Sequence, residues 1–237
     1  MTIFDIIPAI DLLDGGVVRL TQGDYDDVTN YSSDPVELAQ SFESEGAKRL
    51  HLVDLNGAKD GTTSNFKVIK AIRKATSIEI EIGGGIRSKE SIDNYLNIGI
   101  NQVILGSILV NDFTLAKQLI LDYPNKIIAG LDIKNGYIAV HGWTEKSKYK
   151  MEDFIEKINS LPIHSIIYTD ISKDGMMSGP DFTGLETYSK LSKIPLIASG
   201  GVRGLNDIVQ LQKINNVSGA IIGKAVLSGT VCLSDLL

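Results

Sequence analysis

The sequence predicts an α/β protein, a (β/α)8 TIM barrel built from two similar half-barrels. Short apolar runs of strand type alternate with amphipathic stretches of helical period, which is typical of parallel βαβ units. Eight strand signals in 237 residues fit one closed barrel, since such barrels have about 250 residues. Landmarks of the first half recur in the second half. We therefore expect a single domain over 1–237.

The first half, 1–123, supplies four of the strand signals. The apolar run 6–11 ends in Asp11, and a long polar loop follows it. A helix is expected to begin at Asp34, because Asp caps a helix and the next residue, Pro, suits the first helical position. Asn111 is expected to cap the helix that stops before Pro124. The other signals are strands at 49–54, 78–82 and 102–105 and helices at 65–75 and 88–98.

The second half, 124–237, repeats this order. Strand 127–132 ends in Asp132, and a long loop to about residue 150 precedes a helix that ends at Leu161. Each strand signal is the near-continuous apolar run that a buried parallel strand requires. The remaining strands are expected at 165–170, 195–198 and 219–222.

Five landmarks support an internal repeat with half-barrels at about 1–123 and 124–237. Each is weak alone, because Gly after an apolar strand is common. Together they keep their order and a nearly constant spacing. The matching pairs are 10–15 with 131–136, 53–55 with 169–171, 59–61 with 173–175, 84–87 with 200–203, and 103–106 with 220–223.

The repeat predicts two phosphate cradles across the barrel mouth, because glycines let backbone N–H groups approach an anion. The alternative is simple tight turns, and the duplication favours phosphate. Arg87 and Arg203 could pair with phosphate or could equally be structural salt-bridge partners. The cradle residues are Gly84, Gly85, Gly106 and Ser107 in the first half and Gly200, Gly201, Gly223 and Lys224 in the second.

Carboxylates stand at or beyond the ends of several strands. Neighbouring buried carboxylates can have pKa values pushed apart, which provides an acid and a base at one pH. For Asp54 and Asp170 we favour a structural or positioning role. Asp11, Asp132 and Asp174 are the better catalytic candidates.

Two further side chains lie in loops over the predicted barrel mouth. Trp143 is the single tryptophan, and its indole face could stack on a planar heterocycle. Arg19 lies in the equivalent loop of the first half, where the alternative is a solvated loop residue.

The histidines predict no metal site. His51, His141 and His164 share no metal-ligand spacing, and His51 is expected to pack against a helix. Because no Gly-x-Gly-x-x-Gly opens a helix, we also expect no nicotinamide or flavin cofactor.

The composition limits which classes of binding partner and which cellular compartment we expect. The net charge of −6 argues against non-specific nucleic-acid binding, and no stretch approaches the roughly 20 apolar residues that span a bilayer. The N-terminus has no signal-peptide pattern. Cys232 cannot form an internal disulfide, which fits a reducing cytoplasm, and it is expected to pack near the C-terminus. We expect a cytoplasmic monomer without nucleic-acid or membrane partners.

The combined motifs resemble the phosphoribosylformimino-aminoimidazole-carboxamide ribotide isomerase family of histidine biosynthesis. The resemblance covers essentially the whole chain. The residues that carry it are 8–11, 18–24, 83–87, 142–143, 169–175 and 199–202.

The resemblance implies a two-fold symmetric barrel whose small-molecule substrate carries a phosphate at each end. The implied reaction is an Amadori rearrangement of the aminoaldose ProFAR to the aminoketose PRFAR, without metal or organic cofactor. By analogy Asp11 is the general base at C2 and Asp174 the general acid that opens the ribose ring. Asp132 and Thr169 assist, and Trp143 stacks on the imidazole.

The resemblance also implies that Arg19 helps to close its loop over the substrate. One departure stands beside the acid: the family usually has Thr where this chain has Met176, so a polar contact from that position is in doubt.

Three alternatives stand beside this interpretation. The sister cyclase of the same pathway typically has Cys where Ala9 stands, and it lacks the Gly-Trp loop. A bifunctional isomerase would use the same acid and base on phosphoribosyl anthranilate as well. A catalytically silent phosphosugar-binding barrel would not need Asp11 and Asp174.

Overall fold

The computed structural model describes residues 4–21, 23–61, 64–140, 142–143 and 145–237. The sequence-based expectations for residues 1–3, for Gln22 within the motif 18–24 and for His141 fall outside these residues.

The first half forms a strand, a hairpin and then alternating strands and helices. In chain order the elements are β1 (Asp5–Leu13), β2 (Gly16–Thr21), β3 (Asp24–Tyr31), α1 (Pro35–Ser44), β4 (Arg49–Asp54), α2 (Leu55–Asp60), α3 (Phe66–Ala75), β5 (Glu79–Gly83), α4 (Lys89–Asn97), β6 (Gln102–Leu105), α5 (Ile108–Asn111) and α6 (Phe113–Asp122).

The second half begins in the same way, with a strand that leads into a hairpin. Its elements are β7 (Ile127–Lys134), β8 (Tyr137–Val140), β9 (Glu145–Lys150), α7 (Met151–Ile158), β10 (Ser165–Asp170), α8 (Phe182–Leu191), β11 (Leu196–Ser199), α9 (Leu205–Leu211), β12 (Val217–Ile222) and α10 (Lys224–Leu227), followed by a 3-10 turn, Leu233–Asp235.

Eight parallel strands close into a barrel in the order β1, β4, β5, β6, β7, β10, β11 and β12. The closing pair is β12 with β1, in which Asp5 lies opposite Gly219 and Pro8 opposite Ile222. The predicted (β/α)8 barrel is therefore confirmed, and each half of the chain supplies four of its strands.

The two long loops of the sequence-based prediction are wrong, because both are antiparallel hairpins. β2 and β3 extend from β1, and β8 and β9 extend from β7. Side chains of β3 and β9 are mostly exposed or half-buried and often charged, so neither strand carries an apolar alternation. The hairpins stand in corresponding places in the two halves.

The helix caps agree with the sequence at one site and differ at another. The Asp34 side chain accepts hydrogen bonds from the N–H groups of Val36 and Glu37, as expected. The expected cap of the helix before Pro124 was wrong: Asp112 caps α6, whereas Asn111 ends the short helix α5. The sequence also gave no signal for α2, a helix of six residues.

The core has two parts. A large cluster fills the space between strands and helices, with side chains such as Ile69, Phe154 and Leu196 fully buried. A smaller cluster fills the inside of the barrel, formed by Ile7, Ala9, Ile104, Ile128, Ile167, Ile197 and Ile221. This inner layer supports the carboxyl ends of the strands, where the site lies.

Two surface features complete the fold. Cys232 is exposed, so the expectation that it packs at the C-terminus was wrong. Across the described parts of the chain, no helix is both long enough and apolar enough to cross a bilayer.

Candidate active site

The carboxyl ends of the barrel strands surround a cavity of about 260 Å³. Asp11 on β1, Asp132 on β7 and Thr169 on β10 line it, together with Asp174 in the loop after β10. Catalytic groups of (β/α)8 enzymes sit at this end of the barrel. The other predicted site residues that line this cavity are Arg19, Gly84, Gly85, Gly106, Ser107 and Trp143.

Arg19 joins two carboxylates that are far apart in the chain. Its Nη1 lies 2.9 Å from Oδ2 of Asp11, and its Nη2 lies 2.8 Å from Oδ1 of Asp174. The Arg19 side chain is only 14% exposed, whereas the alternative interpretation expected a solvated loop residue. One planar cation therefore holds the predicted base and the predicted acid within one hydrogen-bond network.

The surroundings of Asp11 shift its proton affinity in opposite directions. Burial raises the pKa of the Asp11 carboxyl, the Arg19 charge lowers it, and the nearby Asp174 charge raises it; the net shift is upward. Burial alone would lower the pKa of the Arg19 guanidinium, but the two carboxylates raise it above its ordinary value. Arg19 therefore stays charged, and Asp11 has the raised pKa that suits a proton acceptor.

Asp132 is the counterpart of Asp11 in the second half. Burial raises the pKa of its carboxyl, and hydrogen bonds from Trp143 and Thr169 lower it in part. Thr169 lies opposite Asp132 in the register of β10 and β7, so the hydroxyl and the carboxylate are cross-strand neighbours. The two halves thus place their corresponding strand-end carboxylates, Asp11 and Asp132, in the same cavity, with different partners.

The two hairpins meet above the cavity. A Cβ atom added to Gly23, at the turn between β2 and β3, would lie 2.5 Å from Cε3 of the Trp143 indole. Both residues have left-handed backbone, with φ of 76° at Gly23 and 73° at Trp143. The Tyr25 hydroxyl donates to the Leu55 carbonyl and ties the first hairpin to the barrel rim.

The glycines of the first cradle are required by backbone packing. A Cβ atom on Gly84 would overlap the carbonyl oxygen of Asp54, and one on Gly85 would overlap that of Gly57. This close approach accounts for the missing side chains as the tight-turn interpretation would. Phosphate binding by the backbone N–H groups at the cavity stays a prediction.

The second cradle lines a smaller cavity of about 20 Å³, which adjoins the first through Arg19 and Asp174. The Arg19 guanidinium lies over Gly223, where a Cβ atom would be 2.8 Å from Nη1. Lys224 donates from Nζ to the Gly175 carbonyl at 2.7 Å, next to Asp174. The predicted residues in this cavity are Gly200, Gly201, Gly223 and Lys224.

Two carboxylates and one arginine occupy structural positions. Asp54 accepts from the Gly57 N–H at 3.0 Å and from the Asn65 amide at 2.7 Å, which fits the structural role favoured from the sequence. Asp170 accepts from the N–H and the hydroxyl of Ser172. Arg203 forms an ion pair with Asp207, in line with its structural alternative.

Arg87 differs from its counterpart Arg203 because it lines the large cavity. Its Nη2 approaches the Ala58 carbonyl at 3.5 Å, and the side chain is exposed. The role of Arg87 as a phosphate ligand stays a prediction.

The expectation for His51 was wrong. Its side chain faces the inside of the barrel, where it lines the cavity and contacts Glu81 through Nδ1 at 2.7 Å. Strand alternation could have signalled this, because Glu81 also interrupts the apolar pattern of its strand. No pattern in the sequence indicates that Arg19 bridges two carboxylates, since that contact exists only in the closed barrel.

Known proteins resemble this chain over nearly its full length. Residues 5–232 match the model of the family described as histidine biosynthesis protein. A protein of Oceanobacillus iheyensis is 46% identical over 98% of this chain and 96% of its own, and one of Caldicellulosiruptor saccharolyticus is 44% identical over 98% of each. Both are named 1-(5-phosphoribosyl)-5-((5-phosphoribosylamino)methylideneamino) imidazole-4-carboxamide isomerase.

Proposed function

The chain belongs to the histidine biosynthesis protein family, and on that premise we propose that its cavity is the active site of a ProFAR isomerase. The reaction is the Amadori rearrangement of this aminoaldose to the aminoketose PRFAR. One observation carries the proposal: Asp11 and Asp174, from different halves of the chain, converge on a single cavity through Arg19.

The substrate has a phosphate at each end, and the two cavities suggest how it is held. Gly84, Gly85, Gly106 and Ser107 are proposed to bind one phosphate, and Gly200, Gly201, Gly223 and Lys224 the other. The acid and the base then lie between the cradles, against the ribose. Trp143 is proposed to stack on the imidazole of the substrate after the indole has released its hydrogen bond to Asp132.

Ring opening is assigned to Asp174. Its carboxyl protonates the ribose ring oxygen as the C1–O bond breaks, and the lone pair of the attached nitrogen forms the iminium. The Arg19 guanidinium, which donates to Oδ1 of Asp174, must shift when that carboxyl carries the acid proton. A proton transfer of this kind contributes about 10²–10⁴-fold in rate.

Proton abstraction is assigned to Asp11. The carboxylate takes the C2 proton of the iminium, the C2–H electrons form the C1=C2 bond of the enolamine, and the C1=N electrons return to nitrogen. Protonation at C1 and loss of the proton from the C2 hydroxyl then give the ketone at C2. Asp132 and Thr169 assist by hydrogen bonding to the reacting hydroxyl groups. The two hairpins, closed by the contact of Gly23 with Trp143, exclude water from the iminium.

The sequence-based expectations for domain, compartment, oligomeric state and cofactors are part of the same proposal. The chain acts as one domain over 1–237, with half-barrels at about 1–123 and 124–237. It works in the cytoplasm as a monomer on a phosphorylated small molecule, and it has no nucleic-acid or membrane partner. Its acid and base need no metal or organic cofactor.

The test is an assay of the purified protein on ProFAR with the variants Asp11→Asn and Asp174→Asn. Each variant should lose at least about 10²-fold in turnover because one proton transfer is removed. Equilibrium binding of the substrate should remain, since neither carboxylate is among the residues assigned to hold a phosphate and the amide keeps the size of the side chain. Near wild-type turnover in both variants would contradict the mechanism, and an inactive wild-type protein would contradict the function.

Phosphoribosyl anthranilate is the second substrate for the same assay. Turnover that also depends on Asp11 and Asp174 would identify a bifunctional isomerase. An absence of turnover would restrict the chain to the histidine pathway.

A further inference from the structure

A buried ion-pair cluster lies inside the barrel beneath the proposed catalytic carboxylates. The Glu81 side chain is fully buried, with Oε1 2.7 Å from Nδ1 of His51 and Oε2 3.5 Å from Nη1 of Arg49. Burying an ionised carboxylate costs several kcal/mol, and apolar side chains of similar size are often at least as stable. The cluster therefore calls for an explanation other than stability.

Of its members, His51 is the one that reaches the cavity. His51 and Glu81 are register partners on β4 and β5, and among the described residues His51 lines the cavity whereas Glu81 lies behind it. The ring therefore shares the cavity with both strand-end carboxylates, Asp11 and Asp132.

The charge of Glu81 determines which ring nitrogen of His51 carries a proton. The Glu81 carboxylate is paired with Arg49, and a carboxylate in an ion pair only accepts hydrogen bonds. Nδ1 of His51 must therefore carry a proton to make its short contact. In the neutral ring this leaves Nε2 as the acceptor, since the contact with Glu81 is made by Nδ1.

We propose that Glu81 is a positioning residue of the isomerase: it fixes the orientation and the tautomer of His51, so that Nε2 accepts a hydrogen bond from a substrate hydroxyl. The arrangement follows the general pattern in which a carboxylate orients an imidazole that performs the contact. This inference rests on the proposed function, because the hydroxyl belongs to the sugar phosphate.

The first test needs no substrate. Long-range proton–nitrogen NMR of protein labelled with 15N-histidine gives the tautomer of each ring, and His141→Gln and His164→Gln variants assign the signals. The wild-type His51 ring should be protonated at Nδ1 when neutral. A neutral ring protonated at Nε2 would overturn the inference, whatever the activity of the protein.

The second test uses the isosteric variant Glu81→Gln. Its amide oxygen should turn towards Arg49 and its NH2 group towards His51, because two donors cannot face each other. The proton then moves to Nε2, which becomes a donor. We expect KM for ProFAR to rise about 10-fold, as for the loss of one buried hydrogen bond.

The matched control is Glu79→Gln. Glu79 also pairs with Arg49, at 2.9 Å, but its side chain is half-exposed and does not contact His51. This variant should keep the wild-type KM and the Nδ1–H tautomer. A wild-type KM in Glu81→Gln, or an equal rise in both variants, would overturn the inference.

The two tests separate this inference from the proposed function. A purely structural role for Glu81 would change the folded fraction, and hence the apparent kcat, but not KM. If Glu81→Gln did not fold, the wild-type tautomer alone would decide. If the wild-type protein did not convert ProFAR, the proposed function would fail while the NMR result on Glu81 and His51 would stand.

Discussion

At the residue scale, Arg19 controls the charge balance of the cavity. It pairs with Asp11 and Asp174, which come from different halves of the chain. It also lies over Gly223 in the second cradle, so it covers a position assigned to phosphate. Substrate binding must therefore displace the guanidinium from at least one of these contacts.

Removing the Arg19 charge should move the pH dependence of activity. The charge lowers the pKa of Asp11 against the larger effect of burial, so Arg19→Met should raise that pKa further. Because the base acts when ionised, the acidic limb of kcat/KM against pH should move to higher pH by about one unit. Arg19→Lys keeps the charge and should shift less. An acidic limb that stays in place, or moves to lower pH, would show that Arg19 does not act on the base.

At the element scale, the two hairpins meet at Gly23 and Trp143, and the proposed function makes them paired lids over the site. A methyl group at Gly23 would lie 2.5 Å from Cε3 of the Trp143 indole, which is closer than van der Waals contact. Gly23→Ala should therefore push the hairpins apart. We expect kcat/KM to fall about 10-fold, with little change in Tm because the turn lies at a hairpin tip. Steady-state kinetics and a thermal melt measure both.

Gly136→Ala is the matched control for the hairpin contact. Gly136 occupies the turn between β7 and β8 with φ of 77°, close to the 76° of Gly23, and its added Cβ would meet nothing within 4 Å. Equal losses of activity in the two variants would mean that backbone strain, and not the lid contact, is responsible.

The glycine turn after β5 links two elements through backbone contact. A Cβ on Gly85 would overlap the Gly57 carbonyl in α2, and φ at Gly85 is 72°. Gly85→Ala should therefore lower the free energy of unfolding by about 3 kcal/mol, measured by chemical denaturation.

Gly61→Ala separates strain from overlap at this turn. Gly61 has φ of 78°, and its added Cβ would meet nothing within 4 Å. Gly61→Ala should lower the free energy of unfolding by only about 1 kcal/mol, the cost of a left-handed non-glycine residue. If both variants lowered the free energy of unfolding equally, the overlap would not be the cause.

The sequence predicts elements well where one buried surface determines the pattern. The bounds of β4 and β10 agree with the apolar runs 49–54 and 165–170, because both faces of these strands are mostly buried. β3 and β9 gave no such pattern, since they pair mainly with their hairpin partners and face solvent. Their pairing depends on backbone hydrogen bonds that side-chain hydropathy does not report.

The site was predictable residue by residue, but its contacts were not. Strand-end position and the repeat singled out Asp11, Asp132 and Asp174, because the carboxyl ends of parallel strands meet at one edge. The bridge from Arg19 to Asp174 joins residues 155 positions apart and depends on barrel closure. The placement of His51 against Glu81 likewise depends on the register of two strands.

At the scale of the whole molecule, a symmetric scaffold holds an asymmetric site. Each half contributes four barrel strands, a hairpin and a glycine-rich strand end. The partners of the two corresponding aspartates differ, however: Asp11 pairs with Arg19, and Asp132 bonds to Thr169 and Trp143. Under the proposed function, the symmetry accounts for the binding of a substrate with two similar ends, and the different partners of the two aspartates account for one base and one acid.

The most direct test of this account follows the hydrogen at C2 of the substrate. ProFAR carrying deuterium at ribose C2 is converted by the wild-type protein and by Asp11→Asn, and NMR follows the label as product forms. The account predicts that the wild-type protein removes deuterium from C2 as the aminoketose appears, and that Asp11→Asn leaves the label in place without forming product. Aminoketose formed by Asp11→Asn at a wild-type rate, or formed with deuterium still at C2, would contradict it.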